Sequence, residues 1–160
     1  MKDLHAENAK NVDAVRALGK SDLLADGEED SLRAVGVPTP EWKAGTLAYV
    51  AELTANERDE LEVGWADYKN SKGEDDNVGF RAWCVAFCLC DHERGLLFDP
   101  DEVPAAAARL GKKNGKATSR LFNTISRING LTKADIDVLE GNSEATPPVN
   151  ADGNGGSPLV

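Results

Sequence analysis

The sequence has few of the residues from which membrane spans, disulfide frameworks and large aromatic cores are built. Aromatic residues make up 6% of its 160 residues, and it has three cysteines. The longest mostly apolar run, from Val78 to Cys90, would extend about 20 Å as a helix, whereas the apolar core of a bilayer is about 30 Å thick. The run is therefore too short to cross a membrane, and we expect it to be a buried helix instead. Three cysteines, all within it, cannot form a disulfide framework.

A surplus of positive charge is also missing. The chain has 18 Lys and Arg residues against 28 Asp and Glu residues, a net charge of -10, and an isoelectric point near 4.7. A nucleic-acid-binding protein needs a concentrated basic face, so we expect no nucleic-acid partner and no membrane partner. Polar residues follow Met1, so we expect no signal peptide and a cytoplasmic location.

The composition predicts one globular domain, residues 32–142, between two less regular ends. Residues 1–31 form an N-terminal extension, in which sparse apolar residues indicate a weak helix ending near Gly19, followed by an acidic segment that we expect to be mobile. Residues 143–160 are rich in Pro, Gly, Ser and Asn, which predicts a disordered tail.

The domain is predicted to be α+β and mostly α. A β-hairpin comes first, with Trp42 at the tip of a long loop. Its second strand is expected to be half-buried, with Leu47, Tyr49, Ala51 and Leu53 on one face. About four to five helices follow, packed around the buried central helix from Val78 to Cys90. After a polar turn, the chain is expected to re-enter the core at residues 96–98.

Capping signals define the neighbouring helices. Thr54 and Glu57 form a capping box, and the helix that follows buries Leu61, Trp65 and Tyr68. A later helix carries an apolar stripe and ends at Asn129-Gly130, where a left-handed residue is expected. Thr132 and Asp135 then begin a last short helix. The apolar stripe consists of Ala117, Leu121, Phe122, Ile125 and Ile128.

A cluster of potential metal ligands lies at the end of the central helix: Cys84, Cys88, Cys90 and His92. On a helix, Cys90 would lie about 200° around the axis from Cys88, and no second pair of ligands follows, as structural zinc sites usually require. Free cysteine is among the most buried residue types. We therefore expect core cysteines, no metal and no cofactor.

Charged clusters offer two further alternatives. The acids around the turn could act in acid–base chemistry or bind a divalent ion, but turn formation explains them better. A basic patch could meet an acidic partner or be a solvated face. We expect no catalytic residue and no enzymatic activity. The acids are Asp91, Glu93, Asp99, Asp101 and Glu102, and the basic residues are Lys112, Lys113, Lys116, Arg120 and Arg127.

The order of several motifs resembles a known family. Pro40-Glu41-Trp42 precedes a strand that runs into Glu52-Leu53-Thr54 and Glu57-Arg58-Asp59. An apolar helix then ends at Asp91, with Gly95, Leu97 and Phe98 beyond it. Arg120-Leu121-Phe122, Ile125 and Ile128-Asn129-Gly130-Leu131 come last, before a short acidic helix. From Leu32 to Asn142, this arrangement is similar to the tail assembly chaperones of long-tailed phages and prophages.

The resemblance implies a non-enzymatic protein of the host bacterial cytoplasm. Such chaperones bind the long, aggregation-prone tape measure protein, help the major tail (tube) protein assemble around it, and are absent from the mature virion. The family is often made in two lengths through a translational frameshift. Surplus apolar residues could form a groove for partner helices, and exposed aromatics also suit binding. The candidate partner-binding residues are Trp42, Leu121, Phe122 and Ile125, each with core packing as the alternative.

Two other functions stay open at this point. One is a structural head–tail adaptor or minor tail component that is retained in the virion. The other is a small metal-dependent enzyme built on the cysteines, His92 and the neighbouring acids.

Overall fold

A computed structural model describes residues 17–24, 32–71 and 78–141. The chain divides into two compact units, Met1–Ser31 and Leu32–Val160. In the first unit, Lys20–Leu23 forms a single helical turn, α1, and the Gly19 amide donates to Asp22 Oδ2 at 2.8 Å. Gly19 therefore begins a helix, whereas the sequence analysis placed it at the end of one. The predicted helix before it, the remainder of the acidic segment and the predicted C-terminal tail lie outside the described residues.

The second unit is α+β and mostly helical, as predicted. Its sheet begins with the predicted hairpin, in which β1 (Ala34–Pro38) pairs antiparallel with β2 (Leu47–Ala51). A third strand, β3 (Leu89–Cys90), adds to the other side of β2, so the sheet order is β1-β2-β3.

The face predicted to be buried in β2 is only partly so, because Ala51 is fully buried and Leu53 packs against the core, but Leu47 is exposed. Val50 is fully buried and, with its cross-strand neighbour Val35, belongs to the core, whereas Leu47 is 55% exposed. β2 is apolar on both faces, so its alternation could not define the inner one. The pairing of Val35 with Val50 and of Val37 with Ala48 gathers the branched side chains on the face that meets the helices.

Helix α2 (Ala55–Ser71) begins and packs as predicted. The Glu57 amide donates to Thr54 Oγ1 at 3.1 Å, and the Thr54 amide donates to Glu57 Oε2 at 2.8 Å, which completes the capping box. The buried residues of the helix are Leu61, Trp65 and Tyr68.

The central helix, α3 (Phe80–Cys88), buries every residue except Arg81 and contacts α2, α4, α5 and β2. It is shorter than the predicted Val78–Cys90 helix, because Leu89 and Cys90 pair with Val50 and Tyr49 of β2. A short apolar run in the sequence can form either a helix or a buried strand. Here the pairing with β2 makes Leu89 and Cys90 a strand.

Three helices complete the fold: α4 (Val103–Leu110), α5 (Gly115–Ile128) and α6 (Lys133–Glu140). Helix α5 ends at Asn129, and Gly130 follows with φ 63°, the left-handed conformation that was predicted. Thr132 and Asp135 form the expected cap of α6, in which the Asp135 amide donates to Thr132 Oγ1 at 3.1 Å.

Only part of the segment after β3 re-enters the core. Leu96 and Leu97 are 38% and 53% exposed, and Phe98 alone packs against the core residues. Leu96 bridges to Cys90, and the Leu97 amide donates to Leu89 O at 2.9 Å. The segment therefore extends the edge of the sheet instead of lying beneath it. Within the described residues, no helix combines the length and apolar character that a membrane span requires.

Substitution of Leu121 by Ala should destabilise the protein by about 2–5 kcal/mol, because Leu121 is fully buried and its loss leaves a cavity. Urea unfolding followed by circular dichroism measures the change. The matched control is Leu97→Ala, which should change stability by less than about 0.5 kcal/mol. Similar effects of the two substitutions would contradict the placement of Leu121 in the core.

Candidate partner-binding surface

Three of the four residues expected to bind a partner lie inside the protein. Leu121 and Ile125 are fully buried, and Phe122 is 3% exposed, with its ring centroid 6.1 Å from that of Phe80. They form the seam between α5 and the rest of the core, which is the alternative that the sequence analysis left open. As folded, they offer a partner no surface.

The hairpin loop holds Trp42 half-buried against the core. Its indole Nε1 is buried without a hydrogen-bond partner among the described residues, and Lys113 Nζ lies 5.7 Å from the centre of its ring. Trp42 is thus mainly a packing residue that anchors the loop, with one side near a lysine.

An ion pair locks this loop to α5. Arg120 Nη2 donates to Glu41 Oε1 at 2.6 Å, and Arg120 Nη1 donates to Glu41 Oε2 at 3.1 Å and to Pro38 O at 2.6 Å. The hydrogen bonds from Arg120 lower the pKa of Glu41 to about 2. The guanidinium of Arg120 is therefore already bonded within the protein. The remaining residues of the predicted basic patch are exposed: Lys112, Lys113, Lys116 and Arg127.

A second set of polar contacts joins the end of β2 to the ends of α2 and α5. Asn129 Oδ1 accepts from the Leu53 amide at 2.7 Å, and Asn129 Nδ2 donates to Ala51 O at 3.2 Å. Arg58 Nη1 donates to Asn129 O at 3.2 Å. Arg94, held at φ 73°, donates to Glu52 O at 2.8 Å and also hydrogen-bonds Glu57.

The potential metal ligands are separated by the fold. Cys84 and Cys88 are fully buried on α3, Cys90 lies on β3, and the His92 side chain is 73% exposed in the turn. The hydrogen bond with Cys84, together with burial, raises the pKa of Cys88, and burial raises the pKa of Cys90 to about 11. Among the described residues, no group of three or more His, Cys, Asp or Glu side chains could hold a metal ion.

Two acids of the turn accept hydrogen bonds from backbone amides. Asp91 Oδ1 accepts from the amides of Glu93 at 2.9 Å and Gly95 at 2.8 Å. A Cβ at Gly95 would lie 2.8 Å from Asp91 Oδ2, so a larger residue there would displace the Asp91 carboxylate. Glu102 Oε2 accepts from the Asp99 amide at 2.8 Å. The side chains of Asp91 and Glu102 thus have the turn-forming role that was expected for the acids.

An apolar cleft lies between α2, α3 and the start of α4. Its floor consists of Trp83, Phe87 and Val103, and its volume is about 350 Å³, near the lower end of ligand-sized cavities, about 300–1,000 Å³. One wall is a continuous stripe of α2. The residues of that stripe are Glu60, Val63, Gly64 and Asp67.

Val63 and Gly64 of α2 mark this cleft, which was not predicted from the sequence. Val63 is 59% exposed on a helix whose other large apolar residues are buried. Gly64 stands in the middle of the same helix, where glycine costs about 0.5–1 kcal/mol relative to alanine. A Cβ at Gly64 would lie 3.4 Å from Trp83 Cζ2, so an alanine there would touch the edge of the indole that lines the cleft.

Removal of the Asn129 side chain should destabilise the protein by about 1–3 kcal/mol, because the Leu53 amide would lose its acceptor in a partly buried site. Chemical denaturation of Asn129→Ala measures the effect. Asn123→Ala, at an exposed position of α5, is the control. An equally small effect of both substitutions would show that the hydrogen bonds of the Asn129 side chain do not contribute to stability.

Acid should weaken the bond between the loop and α5. Because the folded pKa of Glu41 is lowered from 4.5 to about 2, its contribution is present above about pH 4.5 and is lost as the pH falls to about 2. Wild type should therefore be more stable than Glu41→Gln at pH 7, and the difference should shrink toward zero at pH 2. Urea midpoints measured across this range test the sign. A difference for Glu41→Gln that does not depend on pH would contradict the assignment.

Comparison of the chain with protein-family models, with curated protein sequences and with solved structures finds no match.

Proposed function

We propose that this protein is a non-enzymatic assembly chaperone of a long-tailed phage or prophage. It acts in the host bacterial cytoplasm, where it binds the tape measure protein and keeps it soluble. It helps the major tail (tube) protein assemble around it, and then leaves before the virion is complete.

One observation carries the proposal: the motifs on which the family resemblance rests are bonded to one another in the fold. Glu41 of the Pro-Glu-Trp motif pairs with Arg120 of the Arg-Leu-Phe motif, although 79 residues separate them. Leu53, in the motif after β2, bonds to Asn129 of the Asn-Gly motif.

The remaining motifs join in the same way. Glu57 bonds to Arg94 in the turn after Asp91, and Arg58 reaches Asn129 and lies 3.6 Å from Asp135 of the short acidic helix. Motifs that hold one another in place form a single structural signature. That connection supports reading them as a family pattern rather than as unrelated caps and turns. Function follows from the resemblance by analogy.

Charge and surface are compatible with the role. A net charge of -10 opposes self-association of the chaperone and of its complexes. The cleft beside α2 provides an apolar surface that the described part of the chain leaves open.

Co-expression with the tape measure protein of the same phage tests the proposal. The soluble yield of the tape measure protein should rise several-fold, and the two proteins should co-purify, because apolar segments of the tape measure protein are covered. The control is an unrelated acidic protein of similar size. Unchanged solubility together with no co-purification would contradict the chaperone function.

Analysis of purified virions separates the chaperone from the structural adaptor. A chaperone should be absent from the finished particle. Stoichiometric retention of this chain in virions would support the adaptor and overturn the proposal.

A further inference from the structure

The cleft beside α2 combines an apolar floor with a rim of one charge. Trp83 and Phe87 are 4% and 6% exposed, and they contribute adjacent turns of α3 to the floor, while Val63 stands exposed at its edge. Glu60 and Asp67 are exposed on the same wall and form no ion pair within the described part of the chain. None of the described residues that line the cleft is a Lys or Arg.

The elements around the cleft add negative charge. The turn that leads into α4 carries Asp99, Asp101 and Glu102, all exposed. The one basic residue of α3, Arg81, is directed elsewhere, because it bonds to Glu140 at 3.3 Å and lies 5.3 Å from the centre of the Phe122 ring. An occupant must therefore be apolar toward the floor and positively charged toward the rim.

The indole of Trp83 forms part of the apolar floor of the cleft. Its Nε1 is buried without a hydrogen-bond partner in the described residues, and such an unpaired donor costs about 1–3 kcal/mol. Nε1 lies on the same edge of the ring as Cζ2, the atom nearest to Gly64 of the cleft wall. The carbon edge of this indole, and not the buried Nε1, is therefore what Trp83 contributes to the cleft.

The spacing along α2 indicates the form of the occupant. Glu60 and Asp67 are seven residues apart, or about 10 Å along the helix axis, with Val63 and Gly64 between them. A helix that lies along this wall would present basic residues seven positions apart on either side of an apolar anchor, which is the pattern of helix-in-groove recognition.

We propose that the cleft between α2, α3 and the start of α4 binds a basic amphipathic helix of the partner. An apolar side chain of that helix packs over Trp83, Phe87 and Val103, and Lys or Arg side chains pair with Glu60 and Asp67. The inference rests on the proposed chaperone function, and it assigns the surface that holds the tape measure protein and the chemistry of the segment that is held.

The test uses a fluorescein-labelled helical peptide of about 18 residues, with leucines on one face and lysines seven positions apart beside them. Fluorescence anisotropy with the full-length protein measures binding. A peptide of the same pattern with glutamates in place of lysines is the probe control. The protein should bind the lysine peptide and not the glutamate peptide, with affinity that decreases as salt is added.

Two matched pairs of variants locate the site. Val63→Lys in the cleft is compared with Val138→Lys, because the two valines are 59% and 63% exposed on different helices. Asp67→Lys is compared with Glu93→Lys, which makes the same change of charge in the exposed turn. The cleft variants should lower the affinity by about tenfold or more, whereas the controls should change it by less than about twofold.

Equal effects of Val63→Lys and Val138→Lys, or equal binding of the two peptides, would overturn the assignment. Thermal melting of each variant verifies that it is folded, and all four substitutions are at exposed positions, where little loss of stability is expected.

Co-expression of Val63→Lys with the tape measure protein separates the two proposals. Full solubilisation by the variant would leave the chaperone function standing and remove the cleft as its site. Cleft-dependent binding of the lysine peptide, with no effect of wild type on the tape measure protein, would keep the site and remove the proposed partner.

Discussion

The burial of α3 is the constraint on which the rest of the fold depends. A nine-residue helix with one exposed residue has no side that can face water, so the hairpin and the helices around it must each cover part of it. The sheet covers it through the Val35, Val37 and Val50 face, and α5 covers it through Leu121, Phe122 and Ile125. Because α3 must be covered, the apolar stripe of α5 is buried in the core and is not available to a partner.

Apolar burial does not by itself fix the relative positions of the helices and strands. A few hydrogen bonds between these elements fix them more precisely. Asn129 fixes the end of α5 against the end of β2, Arg120 fixes its beginning against the hairpin loop, and Trp65 Nε1 donates to Leu139 O at 2.6 Å to hold α6 beside α2. In each case a side chain hydrogen-bonds to a backbone group or a carboxylate. Hydrogen bonds are directional, whereas apolar packing is not. A chain whose aromatic content is only 6% gains specificity from such contacts.

The features that could be predicted from sequence are those decided by neighbours in the chain. The caps at Thr54 and Thr132 and the left-handed Gly130 follow from local hydrogen bonding and backbone sterics. The central burial of the Phe80–Cys88 region follows from its lack of charge. The inner face of β2 could not be predicted, because Leu47 and Val50 are equally apolar and only the partner strand distinguishes them. For the same reason, the change from helix to strand after Cys88 was missed. The cleft needs residues from three separate segments, so no local pattern defined it, and the sequence pointed instead to apolar residues that proved to be buried.

The reactivity of the cysteines on the central helix can report transient opening of the core. Thiol reagents react with the thiolate, and the raised pKa values of Cys88 and Cys90 keep that form scarce near neutral pH. Solvent reaches Cys84 and Cys88 only when the elements around α3 separate, because both are fully buried. The rate at which these thiols are alkylated therefore measures how often the core opens, and a ligand that holds α2 against α3 would slow it.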